Sequence, residues 1–159
     1  MIDTIKLLKD VMLEKWKRDN NIGKGLHNDF MYMDVNYEWY AIIYQGKSVM
    51  FIPSEFSYLD KDCFYSEFPY REDMFKHNDN TWSYLYTINE DKQEYMVYEN
   101  EDKKVYFNKD VFKYFKKIQD CKICGDNPKG LFYIYSHHEL IGLVLPTIRK
   151  EAENDRCYL

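Results

Sequence analysis

The chain has 159 residues, 45% of them hydrophobic and 31% charged, so it is long enough to bury one core without disulfide bonds or metal ions. Its net charge of -5 excludes a protein that coats nucleic acid with its whole surface, although a local basic face stays compatible with it. Because it contains no apolar run of about 18 residues and no signal-peptide pattern, we expect a cytoplasmic protein without membrane contact.

The first predicted element is a helix over residues 3–18, with Asp3 as its N-cap. Its apolar residues recur at helical spacing and form one stripe, which consists of Ile5, Leu8, Met12 and Trp16 and is widened by Leu7 and Val11. Such a stripe on a helix of a globular protein normally faces the core. We therefore expect these residues to be buried.

The next region alternates with a period of two, which is typical of strands. Residues 37–44 and 47–52 are rich in aromatic and β-branched side chains, and the turn residues Gln45-Gly46 separate them. This pattern predicts a hairpin. A short helical turn is predicted at 54–59, and residues 60–80 read as mostly irregular.

The second half of the chain repeats this order of elements. Strands are predicted at 82–88, 94–98 and 104–107, followed by a helix at 108–118 and a last hairpin at 131–136 and 140–145. Asn108 would cap this second helix, whose apolar stripe is Val111, Phe115 and Ile118.

These elements predict an α+β fold, in which an antiparallel sheet carries two helices on one face. We expect a single domain over residues 1–148 and a polar C-terminal tail over 149–159.

The two predicted helices are basic on an otherwise acidic chain. They hold nine basic and four acidic residues, which leaves thirteen basic and twenty-three acidic residues elsewhere. Lysines late in a helix also complement its dipole, so solvated helix faces are the alternative interpretation. The candidate nucleic-acid-binding residues are Lys6, Lys9, Lys17, Lys109, Lys113, Lys116 and Lys117.

A Cys-x-x-Cys-Gly motif at Cys121 and Cys124 has the spacing of half a zinc site. A closed site needs two more ligands, and the sequence contains no second Cys-x-x-Cys motif. We therefore interpret Cys121 and Cys124 as free thiols and predict no metal, with zinc as the alternative.

Residues 107–148 resemble the closing unit of bacterial sliding clamps, the processivity factors, and of small clamp-like proteins of phages and mobile elements. The matching pieces are 107–112, 131–136 and 142–146. Clamps have an asparagine-capped helix followed by two antiparallel strands at these places. The resemblance implies a phage or mobile-element origin, a clamp-like fold, and helices that line a concave face and contact DNA phosphates.

No phosphate-binding loop, nucleophile elbow or His-Glu-x-x-His motif occurs in the sequence, so we predict no enzyme activity, no catalytic residues and no cofactor. The expected function is that of a binding or accessory protein that contacts DNA through the basic helices. The alternative is a protein-binding module, or an inhibitor of a host enzyme, that acts through an acidic, tyrosine-rich surface. The predicted partners are DNA or a host protein, and assembly into a homo-oligomer is a further expectation.

Overall fold

A computed structural model of the protein describes residues 1–23, 29–35, 39–56, 64–67 and 80–148. The predicted tail over 149–159 lies outside these residues. The described chain forms one α-helix, α1 (Thr4–Asp19), and a set of strands. The strands are β1 (Phe30–Asp34), β2 (Trp39–Tyr44), β3 (Ser48–Pro53), β4 (Phe64–Glu67), β5 (Thr81–Glu90), β6 (Gln93–Asn100), β7 (Lys103–Asn108), β8 (Lys122–Cys124), β9 (Phe132–Ser136) and β10 (Glu139–Val144).

All these strands belong to one sheet, in the order β4-β1-β2-β3-β10-β9-β8-β5-β6-β7. Each strand is antiparallel to its neighbours, except that β1 and β4 run parallel. The hairpins β2–β3, β5–β6, β6–β7 and β9–β10 are local, whereas the contacts β3–β10 and β8–β5 join distant parts of the chain. The sheet is therefore assembled from hairpins that the chain brings together from its two halves.

The sheet is curled, so that strands far apart in its order share one core. The ring of Phe107 on β7 lies 5.0 Å from the ring of Phe132 on β9, measured between centroids. Beyond β10, the N–H of Thr147 donates a hydrogen bond of 2.7 Å to the carbonyl of Tyr106 on β7. The segment that follows β10 thus returns to the edge strand β7.

The predicted α+β fold with two helices on one face is wrong, because the second helix does not form. Asn108 does act as a cap, since its side chain accepts a hydrogen bond of 3.0 Å from the N–H of Asp110. The capped element is only a 3₁₀ turn over Lys109–Phe112, and Lys117 then takes a left-handed conformation with φ 51°. The described structure is therefore mostly an antiparallel sheet with one α-helix.

Backbone pairing with a distant part of the chain accompanies the loss of the predicted helix. The apolar side chains of the segment, Val111, Phe112, Tyr114 and Phe115, are all buried. Its backbone forms local bonds such as that from the N–H of Phe115 to the carbonyl of Phe112, and it also pairs with the N-terminus. The N–H of Asp3 donates to the carbonyl of Tyr114 at 2.8 Å, and the N–H of Lys116 donates to that of Met1 at 2.7 Å.

The first predicted helix is confirmed as α1, with Asp3 as its cap, but the stripe assigned to the core is wrong in part. Leu7 and Val11 are fully buried, whereas Ile5, Met12 and Trp16 are 80%, 53% and 54% exposed. We call these three side chains the outer face of α1. Both stripes are apolar, so helical periodicity alone does not distinguish the face that packs on the sheet.

The hairpin predictions are confirmed, because their turns have the backbone that two-residue hairpins need. Gln45-Gly46, Asp91-Lys92 and His137-His138 all have positive φ angles. The 3₁₀ turn Ser54–Phe56 begins where a helical turn was predicted. Three of the described strands were not predicted as such: β1 precedes the predicted hairpin, β4 lies in the region read as irregular, and β8 is formed by the last three residues of the Cys-x-x-Cys motif.

Candidate functional site

A cleft of about 1000 Å³ lies between the β5–β6 turn and the segment 108–120. Buried apolar side chains contribute to its lining, among them Met96, Phe112 and Phe115. We call it the lysine cleft, after the basic side chains that surround it: Lys6, Lys92, Lys109, Lys113 and Lys117.

Separate elements carry the five lysines to this cleft. Lys6 lies in the first turn of α1, and Lys109 is the first residue of the capped 3₁₀ turn. Lys92 and Lys117 both have left-handed backbones, with φ 65° and 51°, at places where the chain reverses or bends. The cleft therefore depends on turns as much as on the helix.

Lys113 is held by two aromatic rings. Its ammonium lies 5.7 Å from the ring centroid of Tyr44 and 5.5 Å from that of Tyr114, and the ammonium of Lys6 lies 5.9 Å from the same Tyr114 ring. Such cation–π contacts attract a cation without neutralising it. Lys6 and Lys113 thus both lie beside the ring of Tyr114.

The two tyrosines are themselves anchored by carboxylates. The hydroxyl of Tyr114 donates to Asp10 at 2.8 Å, and that of Tyr44 donates to Asp110 at 3.2 Å. Burial, together with the neighbouring carboxylates, raises the pKa of both phenols well above the usual tyrosine range. Both phenols therefore stay neutral and act as hydrogen-bond donors at physiological pH.

The cleft carries an excess of positive charge. Its five lysines face three carboxylates, those of Glu94, Asp110 and Asp120. Glu94 is paired with the exposed Lys109 at 2.8 Å. Within the described parts of the chain, no carboxylate lies at ion-pairing distance from the ammonium groups of the other four lysines, Lys6, Lys92, Lys113 and Lys117.

Of the seven lysines predicted from the sequence, the structure brings four together in the lysine cleft: Lys6, Lys109, Lys113 and Lys117. They meet although the second helix is absent, because the 3₁₀ turn and the bend after it hold the lysines of segment 109–117 beside the start of α1. The sequence analysis placed these residues on two helices, which is correct for Lys6 on α1 and wrong for Lys109, Lys113 and Lys117.

The remaining three predicted lysines lie elsewhere. Lys116 forms an ion pair of 3.7 Å with Asp3, and Lys9 is exposed on α1. Lys17 lines a smaller neighbouring pocket of about 240 Å³, which also contains the carboxylates of Asp10, Glu14 and Asp29. An ion pair thus offsets the charge of Lys116, whereas Lys17 shares a pocket with these three carboxylates and with Lys113.

Lys92 was missed by the sequence analysis. It lies in the turn between β5 and β6, and a lysine in such a turn is normally interpreted as a solvent-exposed residue without a specific role. Only the packing of the β5–β6 hairpin beside segment 108–120 brings Lys92 to the cleft, and no local sequence signal encodes that contact.

The Cys-x-x-Cys motif does not form a metal centre in the described structure. Cys121 is extended and precedes β8, so Cys121 and Cys124, three positions apart, project to opposite faces. Cys124 is fully buried, and Cys121 has its sulfur 3.7 Å from the carbonyl oxygen of Lys117. The described residues contain no group of three side chains suited to a metal, and Cys121 and Cys124 are not joined by a disulfide bond.

The glycine of this motif has a packing role. A methyl group on Gly125 would lie 2.7 Å from Cδ1 of Phe132, so the ring could not keep its place. The carbonyl of Gly125 accepts hydrogen bonds of 2.8 Å from the indole N–H of Trp82 and from the side-chain amide of Asn80. The glycine therefore joins β8 to the start of β5.

No family model, no curated protein and no solved structure matches this chain. The resemblance to sliding clamps thus stays a prediction from the sequence. The part of the chain that the structure describes has no helix long and apolar enough to cross a lipid bilayer.

Proposed function

We propose that the protein is a non-enzymatic binding protein that holds the phosphate backbone of DNA in its lysine cleft. The observation that supports this proposal is the convergence of four lysines without ion-paired carboxylates, in a chain whose net charge is -5. Isolated cations on an acidic protein would normally be compensated by neighbours. Their concentration around one cleft favours an anionic ligand.

Ammonium groups suit phosphate contacts better than base recognition. A lysine is a compact point charge, and phosphate contacts position a duplex without reading its sequence. The aromatic rings beside Lys6 and Lys113 are buried or engaged with these lysines, which leaves little aromatic surface for stacking on bases. Binding is therefore expected to be independent of sequence.

The proposal predicts a strong dependence of affinity on salt. Each phosphate that a lysine neutralises releases condensed counterions, so about four contacts give a slope of about -3 to -4 for log K against log salt. Fluorescence anisotropy of a labelled duplex, titrated with protein at several salt concentrations, measures this slope. Two duplexes of unrelated sequence should bind alike.

The decisive comparison uses two variants that change the net charge equally. Lys113→Glu with Lys117→Glu reverses two charges in the cleft, whereas Lys47→Glu with Lys103→Glu reverses two exposed charges outside it. We expect the cleft variant to bind at least ~10-fold more weakly and the control to bind nearly as the original chain does. Equal effects of both variants, or no binding by the original chain, would overturn the proposal.

Folding is the main complication of the cleft variant, because Lys113 contacts two tyrosine rings. The milder pair Lys113→Gln with Lys117→Gln removes both charges without placing a carboxylate beside Asp110. Thermal unfolding of each variant shows whether weaker binding comes with loss of structure.

A second candidate function is a protein-binding module, or an inhibitor of a host enzyme. It is supported by the exposure of Leu85 and Tyr86 on β5, at 37% and 42%, with acidic residues nearby on the β5–β6 hairpin. Exposed tyrosines are frequent anchors of protein interfaces. A cytoplasmic location and an origin in a phage or mobile element, both expected from the sequence, remain part of the proposal.

A further inference from the structure

Most of strand β5 has an open edge. Only Thr81 and Trp82 pair with β8, opposite Cys124 and Ile123. From residue 83 onward, β6 is the only described strand that pairs with β5. One side of residues 83–89 therefore presents backbone N–H and C=O groups that the sheet does not use.

Among the described residues, this edge lacks two of the features that usually prevent strands from pairing with other chains, charged side chains and proline, although β5 has an irregularity between Tyr84 and Tyr86. Residues 81–89 contain no charged side chain and no proline. The strand β7, at the end of the sheet, is different: it begins with Lys103-Lys104, and the N–H of Thr147 covers the carbonyl of Tyr106. Within the part of the chain that the structure describes, the edge of β7 is thus protected and the edge of β5 beyond Trp82 is open.

The open edge is also apolar. Leu85 and Tyr86 are more than one-third exposed, and Thr87 is exposed beside them. The register with β6 shifts between Tyr84 and Tyr86, and pairing is regular from Tyr86 to the end of the strand. Segment 83–89 therefore combines unpaired backbone groups with apolar side chains whose burial in an interface would lower the free energy.

We propose that β5 pairs with β5 of a second copy of this chain, antiparallel and about a two-fold axis between Leu85 and Tyr86. In this register Leu85 of each copy faces Tyr86 of the other, an aromatic–aliphatic pair of the kind that stabilises sheets. Glu90, the single charged residue of β5, then lies beyond the segment 83–88 that is available for this pairing, because Thr81 and Trp82 already pair with β8. A parallel register would place the two Glu90 side chains together, which disfavours it.

A second copy fits this edge because a two-fold interface must be self-complementary. An uncharged strand meets that requirement, since pairing with itself creates no contact between like charges. The outer face of α1 is less suited to pairing with a second copy of itself. There, Ile5, Met12 and Trp16 alternate with Lys9, and an antiparallel pair of α1 helices centred between Asp10 and Val11 would bring Lys6 next to Lys15.

Sedimentation of the full chain over a wide range of concentrations tests this inference, which does not depend on what the lysine cleft binds. We expect a reversible dimer of twice the chain mass of 19.5 kDa. Thr87→Lys places a charge on the edge, and we expect the dimer dissociation constant to rise at least ~10-fold. Met12→Lys, an equal change on the outer face of α1, should leave it unchanged.

Thr87→Pro is the second edge variant, since proline removes a backbone donor while adding no charge. Hydrogen exchange adds a local measurement: amides within 83–89 should exchange more slowly in the concentrated protein than in the dilute protein. A chain that stays monomeric at every concentration, or a dimer that dissociates with Met12→Lys and persists with both edge variants, would overturn the inference.

Discussion

The hydroxyl of Tyr114 donates a hydrogen bond of 2.8 Å to the carboxylate of Asp10, across 104 positions of sequence. Tyr114 is 2% exposed, and its ring contacts Phe30 and Tyr44 at centroid distances of 5.7 Å and 5.2 Å. This bond therefore joins the segment after β7 to the middle of α1, beside the lysine cleft. The position of Lys6 relative to Lys113 depends on it.

Tyr114→Phe should destabilise the protein by about 1–2 kcal/mol, because Asp10 loses a donor in a half-buried site. Urea unfolding measures the change. Tyr86→Phe is the matched control, since Tyr86 is 42% exposed, and its effect should stay within about 0.5 kcal/mol. Similar losses for both variants would show that the Tyr114–Asp10 bond contributes little.

The two faces of α1 should respond differently to truncation. Leu7→Ala removes a fully buried side chain and should cost about 2–5 kcal/mol, because the remaining cavity adds to the lost transfer free energy. Met12→Ala, on the outer face, should change the free energy of unfolding by less than about 0.5 kcal/mol. Chemical unfolding of both variants tests the orientation of the helix, and the opposite ranking would refute it.

Gly142→Ala should destabilise the protein through a steric clash in β10. The added methyl group would lie 2.5 Å from Cζ of Phe115 and 2.6 Å from the backbone oxygen of Val49. Because the second neighbour is backbone of the paired strand β3, a side-chain rotation cannot relieve it, and we expect a loss of about 1–3 kcal/mol. Gly130→Ala, whose nearest neighbour would be 3.3 Å away, should have a clearly smaller effect in the same thermal unfolding measurement.

Because of Glu14, the free energy of unfolding should decrease as the pH rises above the ordinary pKa of a glutamate side chain. Burial raises the pKa of this carboxyl above 4.5, although the N–H of Phe30 partly opposes the shift by donating a hydrogen bond to it. Below 4.5 the carboxyl is protonated in both states. As pH rises past that value, the unfolded state ionises first, so the folded state loses relative stability until its own carboxyl ionises.

Comparison with Glu14→Gln isolates this effect, because glutamine stays neutral. The free energy of unfolding of the variant, minus that of the original chain, should increase as the pH rises above the ordinary pKa of glutamate. A difference that stays constant as the pH rises would mean that the folded and unfolded pKa values of Glu14 are alike.

The sequence predicted several local features correctly. The hairpins with turns at Gln45-Gly46 and His137-His138 were predicted, and the structure has hairpins at both places. Asn108 was correctly identified as a cap. These features depend on neighbours within a few residues, so local propensity and periodicity are enough to predict them.

The candidate site was predicted only in part, because its geometry depends on distant contacts. Four of the seven predicted lysines meet in the cleft, and Lys92 joins them from a hairpin turn. Lys116 has the same charge and a neighbouring position, but the backbone bond between Lys116 and Met1 holds it beside Asp3 instead. Composition shows that basic residues are present. It does not show which of them remain without an ion-pair partner in the folded protein.

By itself, the sequence determined the hairpins, the cap of α1 and the excess of lysine around residues 109–117, since each is a property of adjacent residues. Only the tertiary structure decided that segment 109–120 is no helix and that Leu7 rather than Met12 faces the core. The physical reason is that both outcomes depend on contacts between distant parts of the chain. The backbone of the segment bonds to the N-terminus at Asp3 and Lys116, and the sheet buries Leu7.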